Sequence, residues 1–236
     1  MMTTAWIATA NRGFSVYAME ELRRLFPGAQ FRHLQPAEVF LATLPAAYEQ
    51  VVERLRAQEP VFLRHIHPVM AEAVIDGSAA DLKAVREQAT VLLERQFRKG
   101  TSPVTDARNG GESRDVVVNM GLATGKAPER VGKIAVQVRR QDGGTFTYAL
   151  ADVREAIADA LVERFGVEPV VRGADWIVSA YIAAGFAYLG LSRPEHNLSD
   201  WTGGKIRFRR EEEQVSRAKF KLLEAEHAFS LDLSAF

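Results

Sequence analysis

The chain has 236 residues, 47% of them hydrophobic and 25% charged, which suits one large domain or two small ones with a sizeable core. Zero cysteines exclude disulfides and thiolate metal sites and fit a reducing cytoplasm. The opening MMTTAWIATANRGF has no signal-peptide pattern, and the longest apolar runs are too short to span a bilayer. Net charge is zero, with 30 basic and 30 acidic residues, but residues 203–221 hold seven basic against three acidic side chains. That local excess lies near the C-terminus, and a solvated face is its ordinary explanation.

Three regions follow one another. In the first, TAWIATA (4–10) predicts a strand. GFSVYAMEELRRLFPG predicts a helix, with Phe14, Tyr17, Ala18, Leu22 and Leu25 near helical spacing and Pro27-Gly28 as its stop. QFRHLQ and EVFLATL are two short strands parted by Pro36. AAYEQVVERLRAQEP is a second helix, and VFLRHIHPVMAEAVI holds one or two more strands. The order β-α-β-β-α-β is that of a ferredoxin-like module.

The second region opens with a helix over SAADLKAVREQATVLLERQFRK, with Ser78 as its N-cap. GTSPVTDARNGGESRD has the composition of a mobile loop and reads as an insertion over 99–129. KIAVQVRRQ is a strand, QDGG a turn, and LADVREAIADALVERFGV a helix with Val153, Ile157, Ala160, Leu161 and Phe165 on one stripe. DWIVSAYIAAGFAYLGLS gives two strands around Gly185, so this part predicts a second α/β layer over one sheet. The third region, 193–236, is a polar connector followed by a helix that Ser216 can cap. Val215, Ala218, Leu222, Ala225 and Phe229 form its apolar stripe.

Several local patterns have ordinary explanations. His65 and His67 share one face of a strand, but two imidazoles are an incomplete metal site and no third ligand lies nearby in sequence, so no metal is expected. GLATGK is one residue short of a phosphate loop and is followed by Ala127, and no G-x-G-x-x-G occurs. The Asn197-Leu198-Ser199 sequon is expected to be idle. Trp201, Phe208 and Tyr181 could stack on RNA bases; ordinary packing is preferred for Tyr181, and both roles stay open for Trp201. Lys221 is either a surface lysine or a cleft lysine able to take a proton from a substrate hydroxyl.

VSRAKFKLLEAEHAF (215–229) resembles the S-R-x-x-x-K-L-x-E-A segment that opens the catalytic domain of FtsJ-like and RlmM-like RNA ribose 2′-O-methyltransferases. Upstream, KIAVQVRR and the stretch from LADVREAIADALVERF to AAGFAYLGLS resemble a THUMP domain, an RNA-binding α/β module. The resemblance implies that a Gly-rich D-L-G-A-x-P-G-G-W loop holding S-adenosylmethionine should follow the helix, yet the chain ends at SLDLSAF without it. Of the Lys-Asp-Lys-Glu tetrad that the resemblance implies, only the first lysine can be placed, on Lys221. Methyl transfer to a ribose hydroxyl needs a positioned oxygen that loses its proton, and one lysine without the cofactor pocket cannot supply that.

The expected fold is α+β: a ferredoxin-like module over 1–77, a THUMP-like module over 78–192, and a basic connector with the first helix of a truncated methyltransferase domain over 193–236. The expected partner is structured RNA of the ribosomal class, with no membrane and no DNA, in the cytoplasm. S-adenosylmethionine belongs to the longer parent protein and is not expected on this chain, which should be inactive alone. Lys205, Arg207, Arg209, Arg210, Arg217, Lys219 and Trp201 are the expected RNA contacts, with Arg139 and Arg140 ranked behind them. The alternative is a complete RNA-binding adaptor whose terminal helix docks a separate partner.

Overall fold

In the computed structural model, residues 2–97 and 132–204 are described. The expected insertion over 99–129 and the expected helix after Gly204 lie outside these residues.

The first sheet is built from β1 (Thr4–Ala10), β2 (Gln30–His33), β3 (Val39–Leu44) and β4 (Leu63–Val69), in the order β2-β3-β1-β4. All neighbours are antiparallel, with Ile7 opposite Leu41 on one side and His67 on the other. Helices α1 (Ser15–Leu25) and α2 (Tyr48–Ala57) connect them, so the ferredoxin-like order read from the sequence is present. Period-2 alternation gives β1 two different faces. Trp6, Ala8 and Ala10 join Phe40, Ala42, Leu44 and Ile66 against the apolar stripes of α1 and α2. Ile7 turns the other way and packs with Val39 and Val69 against Tyr181 and Tyr188.

Those tyrosines belong to a second sheet. It contains β5 (Ala71–Val74), β6 (Lys133–Arg140), β7 (Glu168–Pro169), β8 (Trp176–Ile182) and β9 (Phe186–Ser192), in the order β5-β9-β8-β6-β7. β6 and β8 are parallel, as the crossover through α4 (Leu150–Phe165) requires, and β8 returns antiparallel into β9 around Gly185 at φ +82°. Helices α3 (Ala80–Phe97) and α4 cover its outer face through Val85, Leu93, Ile157 and Leu161. The layers therefore run helices, sheet, sheet, helices, where the sequence suggested one sheet with a second layer.

Two features escaped the sequence reading. β5 lies before residue 77 yet pairs with β9, because the Met70 amide donates to the Leu189 carbonyl at 2.7 Å and hands the chain from one sheet to the other. β7 has only two residues, too few to show a period. Ser78 does cap α3: its Oγ accepts the Ala80 amide at 3.3 Å. Beside it, the buried Asp81 carboxylate accepts the amides of Asp76 at 3.0 Å and Gly77 at 2.9 Å and the Tyr148 hydroxyl at 2.7 Å. No helix among the described residues is long and apolar enough to cross a membrane.

Candidate nucleic-acid interface

The inner faces of the two sheets meet across a seam that is part apolar and part polar. Thr9, His65 and His67 come from the first sheet and Gln137, Ser179, Tyr181 and Ser192 from the second, and all of these are buried. Alternation puts them there: Thr9 lies opposite His65, Gln137 opposite Ser179, and Arg139 opposite Tyr181. Arg139 crosses the seam to donate to Thr9 Oγ1, and burial lowers its pKa. The Tyr181 hydroxyl donates to the Gln35 carbonyl, and burial raises its pKa.

His65 and His67 share a face as expected, with ring centroids 5.9 Å apart. Burial pushes His67 down to about 4, with Arg139 adding to the fall and the Pro68 carbonyl, 3.2 Å from Nδ1, opposing it. His65 is also held well below the usual histidine range, by burial, then His67, then Arg139. Both are neutral imidazoles beside a guanidinium. Among the described residues, no group of three or more metal-ligating side chains comes together.

Residues 193–204, the start of the expected polar connector, form a strap bonded to both sheets. The Tyr48 hydroxyl and His196 Nδ1 share a hydrogen bond at 2.6 Å, the Asn197 carbonyl accepts the Ile66 amide at 3.2 Å, and the Asp200 carbonyl accepts Gln137 Nε2 at 2.6 Å. Arg64 donates to Asn11 Oδ1 at 2.8 Å and to the Gly204 carbonyl at 2.5 Å. Gly203 and Gly204 have φ of +63° and +68°; a Cβ would lie 2.8 Å from the Arg139 guanidinium at the first and 2.7 Å from the Arg64 carbonyl at the second. The sequon asparagine, Asn197, is fully buried in this strap, where no glycan can be attached.

Trp201 sits in the strap. The Arg172 guanidinium lies over its ring at 3.3 Å from the centroid, and Nε1 is buried with no protein partner among the described residues. Tyr181 is a core residue, as preferred. Arg139 is committed to Thr9, and Arg140 donates to the Tyr148 carbonyl at 3.2 Å while lying over Phe146, which explains why neither is a free surface cation. Lys205, Arg207, Phe208, Arg209, Arg210, Arg217, Lys219 and Lys221 lie outside the described residues. The sequence reading missed Arg172 and Arg193, which the fold places on Trp201 and Trp176. Each pairs with a tryptophan remote from it in sequence, 29 and 17 positions away, so spacing carried no signal.

No protein-family model and no curated protein matches this chain. Solved structures do. TrmN from Thermus thermophilus superposes with a TM-score of 0.52 at 18% identity, over 82% of this chain and 47% of that one. PH1313 from Pyrococcus horikoshii Ot3 gives 0.49 at 12% identity, over 80% and 54%. A 4-thiouridine synthetase in complex with RNA and ATP gives 0.45 at 10% identity, over 80% and 41%. The likeness to TrmN is one of fold, and it agrees with the expected α+β class. This chain spans about half the length of the solved chains it resembles.

Proposed function

We propose that this chain is the RNA-docking part of a longer, cytoplasmic, S-adenosylmethionine-dependent RNA methyltransferase, and that it holds structured ribosomal RNA for transfer to a ribose 2′-hydroxyl. The ferredoxin-like part over 1–77 and the THUMP-like part over 78–192 form the docking body, and 193–236 leads to the catalytic domain. The observation that carries this reading is the concentration of seven basic residues in 203–221, directly after a strap bound to both sheets. The TrmN-like fold and the S-R-x-x-x-K-L-x-E-A segment support it. Lys205, Arg207, Arg209, Arg210, Arg217 and Lys219 make the phosphate contacts, and Trp201 contributes stacking. Such contacts give affinity without base specificity.

Lys221 is the first lysine of the catalytic set in the longer protein, where it positions the ribose oxygen. The residues of this chain do not fit S-adenosylmethionine, because the loop that would cradle it is not in the sequence.

Fluorescence anisotropy with a labelled ribosomal RNA fragment, repeated across salt concentrations, tests the reading. Six phosphate contacts predict a log–log salt slope of about −5, and replacing Arg207, Arg209 and Arg210 with Ala should shrink it by about 3. No binding, or binding indifferent to salt, refutes the proposal. In the longer protein that this reading implies, Lys221→Ala should abolish methyl transfer and leave RNA affinity unchanged.

A further inference from the structure

One end of the second sheet carries two arginines stacked on tryptophans. β6 and β8 both begin there, with Ile134 beside Trp176, and β9 finishes there, with Ser192 beside Ile177. Arg172 lies in the turn before β8 and Arg193 directly follows β9. The Arg172 guanidinium carbon is 3.3 Å from the centroid of the Trp201 ring, and that of Arg193 is 4.7 Å from the centroid of Trp176. The rings are themselves held. Trp176 is 7% exposed with Phe97 edge-on at 5.5 Å, and Trp201 is half-buried, its amide bonded to Ser199 Oγ at 3.2 Å. The arginines remain exposed.

A long surface cation normally samples many rotamers, and ordering it on a ligand costs free energy. Here each guanidinium already lies over an aromatic face, which restricts the positions it samples. One face is spent on the ring by cation–π attraction, which leaves the N–H edge and the other face to solvent. The edge matches the oxygens of a phosphodiester, and the free face matches a nucleobase. Arg172 has a carboxylate neighbour, Asp200, at 3.6 Å, with side-chain exposures of 47% and 48%. A pair so exposed is weak and yields to a phosphate. Lys133, exposed, starts β6 at the same end, where Glu168 lies beside it.

We propose that Arg172 on Trp201 and Arg193 on Trp176 form a preorganised site for single-stranded RNA. The guanidinium edges hold consecutive backbone phosphates, and an unpaired base stacks on the outer face of Arg172. This site deepens the RNA-docking reading and rests on it. An acidic peptide is the other ligand a cationic site can take, but it would use the charge alone. Guanidinium groups already seated over aromatic rings favour RNA.

The test uses the full 236-residue chain. Anisotropy is read with an RNA hairpin bearing a labelled single-stranded 3′ tail, across a salt series. Arg172→Ala and Arg193→Ala should each weaken binding about 5- to 10-fold and reduce the log–log salt slope by about 0.7, the single-strand value for one phosphate. Arg172→Lys keeps the charge but loses the plane, so it should weaken binding about 3-fold with nearly unchanged slope. Asp200→Asn removes the competing carboxylate and should tighten binding about 2- to 3-fold, a gain that a misfolded protein cannot produce. Wild-type binding with all four variants unchanged in affinity and slope overturns this site and leaves the RNA-docking reading standing. Wild-type protein that binds no RNA overturns both. Arg172→Lys equal to wild type, with polyglutamate competing at equal charge, overturns the stacking site in favour of an acidic-peptide surface.

Discussion

Lowering the pH from 7 to 4.5 should destabilise this protein through its sheet–sheet seam. Burial between the sheets pushes the His67 imidazole down to about 4 from the usual 6.5. A histidine whose pKa falls on folding is protonated first in the unfolded chain. Its stabilising contribution is whole above the unfolded value and is lost as the pH falls from about 6.5 towards the folded value of about 4. Integrating the difference in bound protons between pH 7 and 4.5 gives a loss of roughly 2.5 kcal/mol from His67 alone. Full burial means that solvent screening does not reduce this figure much. His65 shifts in the same direction and adds to the loss. The charged group facing both is Arg139, so a protonated imidazole would stand beside a guanidinium already committed to Thr9.

Urea unfolding at pH 7 and 4.5, for wild type and for His67→Leu, checks this. Carboxylates also lose stabilisation in acid, and the comparison removes them because both proteins share them. The wild type should lose about 2.5 kcal/mol more than the variant over this interval. Parallel pH dependence in the two proteins would refute the seam as the acid-sensitive element.

Gly190→Ala would bring a Cβ to 1.8 Å from the Pro68 carbonyl oxygen, so the sheets must part or the strand must bend. We expect a loss of at least about 3 kcal/mol in thermal unfolding. Gly143→Ala, at φ +74° with nothing within 4 Å, should cost only about 1 kcal/mol from backbone strain. Equal losses would show that the sheets do not meet at Gly190. Asp81→Ala removes the acceptor of the Asp76 amide, the buried Gly77 amide and the Tyr148 hydroxyl, and should cost about 3 kcal/mol in the same assay; a change below about 0.5 kcal/mol would contradict the bonds. Tyr48→Phe leaves His196 Nδ1 unpaired and should cost about 1 kcal/mol while exposing 193–204 to protease, and a digestion pattern identical to wild type would mean the strap does not depend on that bond.

The first module was legible because its signals are local. Alternating residues mark β1 and β3, helical spacing marks α1 and α2, and Pro36 and Pro27-Gly28 punctuate them. The sheet exchange at Met70 was not legible, because it depends on pairing with β9, whose Leu189 lies 119 positions later. A strand's own pattern says which residues share a face, but not which strand lies beside it. The same limit hid the candidate site. The sequence exposed the basic cluster beyond Gly204, because charge is visible in composition. Arg172 and Arg193 are single cations in turns, and their meaning comes only from the tryptophans under them.

The seam explains why the two modules are joined by polar side chains as well as apolar ones. Ile7, Val39, Val69, Tyr181 and Tyr188 supply hydrophobic adhesion, which is non-directional and would tolerate one sheet sliding over the other. Arg139 to Thr9, Tyr181 to Gln35 and Arg32 to Tyr188, the last at 2.6 Å, each accept one alignment only. The strap adds Gln137 to Asp200 and Arg64 to Gly204, one bond from each sheet. Directional bonds of this kind contribute about 1 kcal/mol apiece, less than the apolar contacts beside them, but a slipped register would break all of them at once. Their effect is to fix the spacing between the first sheet and the Arg172–Trp201 end of the second.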